Sequence, residues 1–239
     1  MSEPSMDASI QAADKAISYV DIFENLPDER SAFYRVAKKR RVDRKETLFL
    51  EGDVASSVFY ILKGLVIVTM LSSNGKEVAL YIHKKGALLG VQVLTGNTRR
   101  RASAYMLNDG IIYEVQNQDF KSLVARYPVL YDRIMLQMAM SFNFMCTQYL
   151  SAFTDDAETR LKKLLARLFS EELLKPLPDS HSDYYSLNVT EHQLASSIGV
   201  SRETISKLLG RMQQAGLIDR SAHKISFIKP EHFLNYLET

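Results

Sequence analysis

Four polar side chains near the middle of one segment, residues 190–218, carry the chemistry that this sequence most clearly specifies. The segment reads TEHQLASSIGVSRETISKLLGRMQQAGLI, and the four are Arg202, Glu203, Ser206 and Lys207. Arg and Lys donate hydrogen bonds to guanine O6 and N7, and Glu accepts one from cytosine N4. Side chains of these types on the first turns of one helix are placed to reach base edges in the major groove. The segment therefore predicts sequence-specific contact with double-stranded DNA.

The residues around these four predict two helices joined by a tight turn. Thr190 and Ser201 are each placed to cap a helix, and Gln193 follows Thr190 by three positions, as a capping box requires. Gly199 supplies the backbone freedom of the turn. The predicted inner faces consist of apolar residues at helical spacing: Leu194, Ala195, Ile198, Ile205, Leu208, Leu209 and Met212. We therefore predict a helix-turn-helix, with Thr190 and Ser201 also at the DNA-facing surface.

The stretch IDRSAHKISFI, residues 218–228, predicts a short hairpin or wing after the second helix. Lys224 is expected near its tip as a further DNA contact. The region from Asp156 onward has 11 Lys and Arg against 11 Asp and Glu, so DNA contact must come from local placement of charge. The alternative is a helical pair that packs internally and leaves a solvated charged face.

Residues from about Val42 to Gln116 form short β-rich runs separated by turns. The runs cover 47–50, 57–62, 65–70, 77–82 and 111–115, and glycines stand at 52, 64, 75, 86 and 90. Glycine supplies the positive φ that tight turns require. The pattern predicts a small antiparallel β-roll, entered through a helix near Asp28–Ala37.

One long helix is predicted over 128–153, where no Gly and no second Pro interrupts the pattern. Its apolar face is wider than a single seam, which suits packing on a partner chain and on its own β-roll together. The expected dimer contacts share that face: Ile134, Met138, Met145, Tyr149 and Ala152. Asp155 or Asp156 is expected to cap a following helix. The predicted organisation is a mobile segment 1–20, a sensing domain 21–127, a dimerisation helix 128–153 and a DNA-binding domain 154–239.

These motifs, in this order, resemble the CRP/FNR transcription regulators. SRETISKLLGRMQQAGLI is similar to their recognition-helix region, FYILKGLVIV to a strand pair of their cyclic-nucleotide-binding β-roll, and 128–153 to their dimerisation helix. The resemblance covers roughly residues 22–230. It implies an α+β fold with an N-terminal antiparallel, jelly-roll-like β-roll, a long dimerisation helix and a C-terminal winged helix-turn-helix. It also implies a homodimer on a two-fold-symmetric operator, an effector in the β-roll, and RNA polymerase as a partner.

The effector cassette departs from that of the cyclic-nucleotide-binding members. Their cassette begins Gly-Glu-Leu and ends near Arg-Ser/Thr-Ala, the Glu holding the ribose hydroxyl and the Arg pairing with the phosphate. Here residues 90–105 read GVQVLTGNTRRRASAY, so Val91 stands at the Glu position. Arg101 occupies the Arg position when no gap is allowed, and Ala102 occupies it when ASA is aligned. We expect an effector other than a cyclic nucleotide, as in halorespiration regulators.

The expected effector site combines this cassette with an apolar roof from the long helix. Its candidate residues are Tyr81, Leu89, Gly90, Val91, Gln92, Val93, Arg101, Ser103, Met138 and Phe142. We interpret Arg99–Arg101 as a solvated hairpin tip, with anion contact as the alternative, and Lys38–Arg41 as a solvated lead-in to the first strand. A regulator that acts without effector and a cyclic-nucleotide-responsive regulator with a divergent cassette stay open.

Other chemistry is not expected. The sequence has no Gly-rich P-loop, no metal-spaced His and Cys cluster and no nucleophile elbow, so we predict neither an enzyme nor a metal site, and we identify no cofactor. His83 is interpreted as structural and Cys146 as a small core residue. A single cysteine, the absence of a secretory signal and the absence of a membrane-spanning stretch predict a cytoplasmic protein without a membrane partner.

Overall fold

The computed structural model describes residues 21–73, 75, 77–96, 98–172, 185–187, 189–221, 224–227, 232–233 and 235–236. The chain divides into two compact units, the first ending at Thr147 and the second beginning at Gln148. The segment 1–20, which we predicted to be mobile, lies outside the described residues.

The first unit is built on two four-stranded antiparallel sheets. It begins with helix α1 (Pro27–Val36), and its strands are β1 (Lys38–Val42), β2 (Thr47–Phe49), β3 (Ser57–Lys63), β4 (Val66–Leu71), β5 (Glu77–His83), β6 (Leu88–Leu89), β7 (Ser103–Met106) and β8 (Gly110–Gln116). One sheet has the order β1-β8-β3-β6 and the other the order β2-β7-β4-β5. The predicted antiparallel β-roll is thereby confirmed.

Strand β3 shows why the run 57–62 is almost continuously apolar. Side chains alternate between the two faces of a strand, so both faces must be covered if all are buried. Val58 and Tyr60 belong to the apolar cluster that includes the helices. Phe59 and Ile61 belong to the cluster between the two sheets. The core of this unit therefore has two layers, one on each side of the β3 sheet.

The turn prediction is confirmed, since the five glycines at 52, 64, 75, 86 and 90 all have φ between 78° and 102°.

The strand boundaries differ from the prediction in one place. Lys38–Arg41, predicted as a solvated lead-in, are strand β1 itself and pair with β8. Its Arg40 is half-buried and forms ion pairs with Glu46 (2.6 Å) and Glu114 (3.2 Å), because β8 presents a carboxylate beside it. Helix α2 (Asn117–Arg126), which the sequence pattern did not reveal, follows β8.

The long helix α3 (Val129–Thr154) matches the predicted range within one residue at each end. Helix α4 (Ala157–Glu172) follows it. Of the two aspartates proposed as its cap, Asp156 takes that role, because its Oδ1 accepts a hydrogen bond from the backbone N–H of Thr159 at 2.7 Å. Asp155 instead accepts from the Ser151 hydroxyl (2.5 Å) and pairs with Lys163 (3.0 Å).

The second unit contains the remaining elements: β9 (Tyr185–Leu187), α5 (Glu191–Ile198), α6 (Arg202–Gln214), β10 (Ile218–Ser221) and β11 (Lys224–Phe227). The strands form a sheet of order β10-β11-β9. Two short helices followed by a hairpin confirm the predicted winged helix-turn-helix. Among the described residues, no helix combines the length and the apolar character needed to cross a membrane.

Candidate nucleic-acid interface and effector cavity

Both predicted caps of the helix-turn-helix are present. The Thr190 hydroxyl accepts a hydrogen bond from the Gln193 N–H (3.2 Å), and the Gln193 side chain accepts one from the Thr190 N–H (2.9 Å). The Ser201 hydroxyl accepts from the Thr204 N–H at 3.2 Å. Gly199 ends α5 at φ 73°, and no atom lies within 4 Å of the place its Cβ would take. This turn therefore needs glycine for its backbone conformation and not for space.

The inner faces of α5 and α6 fix which side chains of α6 meet solvent. The predicted inner-face residues are all buried: Leu194, Ala195, Ile198, Ile205, Leu208, Leu209 and Met212. On the opposite side, Arg202, Glu203 and Lys207 are exposed and Ser206 is half-buried. The four residues predicted to read bases thus lie together on the outward face of the first two turns of α6.

Glu203 is held in its ionised form. Its own backbone N–H lowers the pKa of the carboxyl first of all, and the Ser201 hydroxyl lowers it further. The unpaired N–H groups at a helix N-terminus favour negative charge in general. At neutral pH this side chain accepts hydrogen bonds only, which is the chemistry that a cytosine amino group requires.

A cluster that the sequence did not reveal joins α6 to the wing. Glu191, the first residue of α5, accepts a hydrogen bond from Arg202 Nε at 3.2 Å and is ion-paired with Arg220 of β10. Arg220 also donates to the backbone carbonyl of Ser206 at 3.5 Å. An acidic residue at this position is usually explained by the helix dipole alone, so the sequence pattern gave no signal for the second role.

Lys224 is the first residue of β11 and stands opposite Ser221 in the hairpin. Its predicted position at the end of the wing strand agrees with this register. Whether it contacts DNA stays a prediction.

A cavity of about 250 Å³ lies in the first unit, beside the cassette. Nine of the ten candidate effector residues line it: Tyr81, Leu89, Gly90, Val91, Gln92, Val93, Arg101, Met138 and Phe142. Among the described residues, no Asp or Glu lines this cavity. Its walls are mostly apolar, and its charged groups are arginines.

The cation buried beside the cavity is Arg100, which corrects our interpretation of Arg99–Arg101 as a solvated tip. Arg99 and Arg101 are exposed, whereas Arg100 is only 6% exposed. One of three consecutive arginines is therefore buried while its neighbours stay exposed at the rim of the cavity. The sequence alone did not settle which of them it would be.

The guanidinium of Arg100 is held by uncharged groups. It lies 4.2 Å from the ring centre of Phe49, and its Nη2 donates to the Ser57 carbonyl at 2.5 Å. Its Nε, although buried, has no hydrogen-bond partner. Burial lowers the pKa of Arg100, an effect that the charges of Asp53 and Glu114 oppose. Gly90 has φ 82°, which favours glycine, and a Cβ at this position would also overlap the Arg100 guanidinium unless that side chain moved.

Ser103 is the one effector candidate that the structure does not place at the cavity. Its hydroxyl accepts a hydrogen bond from the Glu51 N–H at 3.0 Å. Along β7 the buried residues are Ala104 and Met106, so Ser103 lies on the opposite face of the strand. The structure therefore places Ser103 away from the cavity, a position set by the register of β7, which the sequence pattern did not give.

His83 and Tyr81 contribute a polar edge to the cavity. Their rings meet edge to face with centres 4.7 Å apart. Burial lowers the pKa of His83 to about 4 and raises the pKa of Tyr81. Both side chains are therefore uncharged at neutral pH. The burial of His83 agrees with the structural role predicted for it.

The predicted dimer contacts on α3 divide into two groups. Ile134 is 5% exposed and packs in the helix-facing core cluster of its own unit, which leaves little of its side chain for the partner contact that we predicted. Met138, Met145, Tyr149 and Ala152 are exposed. Large exposed apolar side chains continue along the helix: Tyr131, Met135, Leu136, Met138, Phe142, Met145, Tyr149, Leu150 and Phe153.

Two further residues of α3 have notable positions, and one of them, Cys146, differs from expectation. Cys146, predicted as a small core residue, is exposed, because this part of the helix turns its side chains to solvent in the single chain. Gln137 is buried at the cavity, and its amide bonds both backbone groups of Leu88, accepting from N at 2.9 Å and donating to O at 2.8 Å. The side-chain amide therefore hydrogen-bonds the backbone of β6 in the way that a neighbouring strand would.

No cluster of metal-ligating side chains occurs in the described part of the chain.

Comparisons with known proteins match the same two regions of the chain. Residues 39–127 match the family model of the cyclic nucleotide-binding domain, and residues 159–236 match that of the Crp-like helix-turn-helix domain. The chain is similar to the cAMP-activated global transcriptional regulator CRP of Escherichia coli O6:H1, with 26% identity over 180 residues, 75% of this chain and 83% of that protein.

A second relative is the anaerobic regulatory protein of Haemophilus influenzae, 26% identical over 193 residues, which are 77% of this chain and 70% of that protein. Among solved structures, the c-di-GMP-responsive global regulator CLP of Xanthomonas campestris superimposes with a TM-score of 0.71 at 19% identity. That superposition covers 84% of this chain and 98% of that chain, and it shows a shared fold.

Proposed function

The chain belongs to the CRP/FNR family of transcription regulators, and from this premise we propose that it acts as a homodimer whose affinity for a two-fold-symmetric operator is set by a small molecule in the β-roll. We further propose that this effector is not a cyclic nucleotide. Such control requires a coupling free energy of about 1–3 kcal/mol between the two sites.

The DNA-reading role is supported by one observation above the others. Burial of the inner face of α6 leaves Arg202, Glu203 and Lys207 exposed on its first two turns. The test is selection of duplexes from a randomised library by the purified protein. We expect enrichment of an inverted repeat whose half-sites lie about 34 Å apart, one turn of DNA. A selected pool with no sequence enriched over the input would contradict the proposal.

The homodimer is supported by the exposed apolar face of α3. A monomer rarely leaves such a continuous apolar surface in water. Met138→Asp is expected to dissociate the dimer at micromolar concentration in sedimentation velocity, because an unpaired charge in an apolar seam is strongly disfavoured. Asn143→Asp, which adds the same charge at an exposed polar position of the same helix, is the matched control. A dimeric Met138→Asp would place the seam elsewhere.

The proposed class of effector follows from the lining of the cavity. A ribose hydroxyl placed as in cyclic-nucleotide-binding relatives would meet Val91, which offers no acceptor. A polar group buried without a partner costs on the order of 1–3 kcal/mol. The apolar walls and the buried Arg100 suit instead a compact, largely apolar molecule with one negative charge, such as a small aromatic acid.

A cyclic-nucleotide-responsive regulator is the second candidate, and Arg100 is the observation that favours it. A buried guanidinium with an unpartnered Nε is a suitable site for a phosphate. The names of two relatives describe responses to cAMP and to c-di-GMP. A regulator that acts without effector is the remaining alternative.

Calorimetric titration with cyclic AMP and with a panel including benzoate and phenylacetate separates these candidates. We expect binding of an aromatic acid, lost in Arg100→Met and retained in Arg41→Met, which removes an exposed arginine outside the cavity lining. Low-micromolar binding of cyclic AMP, abolished by Arg100→Met, would establish the second candidate. No heat from any compound, together with tight operator binding, would support the effector-independent alternative.

The remaining partners are proposed from family likeness. Contact with RNA polymerase is the usual means by which such regulators act on transcription, and a cytoplasmic location follows from DNA as the target.

A further inference from the structure

One carboxylate on the DNA-facing side of the second unit holds arginines from two different elements. Glu191 begins α5, Arg202 begins α6, and Arg220 lies in the wing strand β10. Arg202 Nε donates to Glu191 Oε2 at 3.2 Å, and Arg220 Nη2 is bonded to Glu191 Oε1. The side chain of Glu191 is 21% exposed, that of Arg220 29% and that of Arg202 72%. We call these three residues the Glu191 clamp.

The clamp leaves the end of Arg202 available. An arginine carries five N–H donors, and the bond to Glu191 uses only the one on Nε. Among the described residues, neither terminal nitrogen of Arg202 makes a hydrogen bond or ion pair. A bidentate contact with guanine O6 and N7 needs two donors. The same side chain can therefore stay bonded to Glu191 while it reads a guanine.

A phosphate would use Arg202 differently. On DNA without a guanine at the matching place, the guanidinium can gain only by turning toward a phosphate, and its bond to Glu191 opposes that movement. The carboxylate also neutralises one of the two cations and repels phosphate. Both effects weaken binding to non-cognate DNA, whereas the first does not act on the cognate site.

We propose that Glu191 is a positioning residue that determines specificity, because it holds Arg202 in the orientation that reads a base and restrains both arginines from generic phosphate contact. This inference rests on the proposed function, since it assumes that α6 reads an operator. Exposed ion pairs contribute little to stability, so the role proposed here is in DNA discrimination and not in folding.

The test compares Glu191→Gln with the wild-type protein by fluorescence anisotropy on two duplexes of equal length. One duplex is the sequence selected by the wild-type protein, and the other is its scrambled version. We expect Glu191→Gln to bind the scrambled duplex several-fold more tightly, with a salt dependence steeper by about 0.9 in the log–log slope, as one more neutralised phosphate requires. On the selected duplex, the gain from removing the repulsion is expected to be offset by the lost positioning of Arg202, so the ratio of the two affinities falls by the same several-fold factor.

Two further variants separate positioning from charge. Asp219→Asn makes the same change of charge at an exposed residue of β10, and Asp219 contacts Gln213 and neither arginine. It is expected to shift both affinities by the same factor. Glu191→Asp keeps the charge and shortens the reach by one methylene, and it is expected to lower the affinity ratio and relax the preference at the base pair read by Arg202.

Equal shifts on both duplexes in Glu191→Gln, matching those of Asp219→Asn, would show that Glu191 acts only as a charge and would overturn the inference. An unchanged ratio in Glu191→Asp would overturn it as well. If the wild-type protein itself binds the selected and scrambled duplexes alike, the DNA-reading proposal fails first, and that outcome is distinct from both of the others.

Discussion

The two regions of this molecule use arginine in opposite ways. On α6, Arg202 is largely exposed and shares a carboxylate with a second arginine. In the β-roll, Arg100 is 6% exposed, rests on Phe49 and Phe59 and forms no ion pair among the described residues. A solvent-exposed charge costs little free energy. Because such a side chain can reach many partners, it must be held in one orientation to select one DNA sequence. A buried charge without a counter-ion is costly, and a bound anion would relieve that cost. The comparison indicates that the proposed DNA-reading surface depends on restraining its arginine, whereas the cavity offers a buried cation to a bound anion.

The largest expected effect contrasts two glycines of nearly equal backbone conformation, one in each region. Gly90→Ala forces a Cβ onto the Arg100 guanidinium at φ 82°, whereas Gly199→Ala meets open space at φ 73°. The backbone cost of about 1–2 kcal/mol is common to both. Overpacking adds about 1–3 kcal/mol at position 90 only. Urea denaturation of the full chain, followed by circular dichroism, is the measurement, and equal losses would mean that Arg100 moves away freely.

A second prediction concerns the exposed arginine. Arg202→Ala is expected to lose about 1–3 kcal/mol on the selected duplex and to relax the preference at one base pair. The measurement is anisotropy on single-base variants of that duplex. A uniform loss of affinity on all of these variants would identify Arg202 as a phosphate contact and would contradict its proposed role in reading a base.

A third prediction uses pH to separate buried from exposed titratable groups. The pKa of His83 is lowered to about 4 by burial, so the unfolded chain, with an ordinary His near 6.5, binds the proton first as pH falls. The stability contributed by neutral His83 is complete above pH 6.5 and is lost progressively between 6.5 and 4, by about 2 kcal/mol at pH 5.0.

The control for this loss is the exposed His192 of α5. Urea denaturation at pH 7.5 and 5.0 should show a smaller pH-dependent loss in His83→Gln than in the wild-type chain. His192→Gln should retain the full loss, because it leaves the buried His83 in place. The same pH dependence in both variants would show that other groups produce it.

The smallest expected effect concerns Ser103. Because its hydroxyl bonds Glu51 N away from the cavity, Ser103→Ala should cost no more than about 1 kcal/mol of stability. Calorimetric heats with cyclic AMP and the aromatic acids should not change. Altered heats of binding would indicate that Ser103 does contribute to the effector site.

The sequence by itself determined the elements whose signals are local. Caps at Thr190 and Ser201, the positive φ of Gly199 and the helical spacing of apolar residues specified the helix-turn-helix, and α3 was placed within one residue at each end. These features depend on neighbours three or four positions away, which a sequence displays directly. Nine of the ten effector candidates also line one cavity, because a contiguous cassette supplied most of them.

Only the tertiary structure decided the features that depend on register and on distant contacts. A one-residue shift exchanges the two faces of an extended segment, so only the folded chain shows that Arg100 turns inward and Ser103 outward. The burial of Ile134 in its own unit likewise needed the packed helix. Glu191, Arg202 and Arg220 meet across separations of 11 and 29 residues, and no local pattern announces such a contact. The sequence determined which side chains are present at each site, and the fold determined which of them face one another.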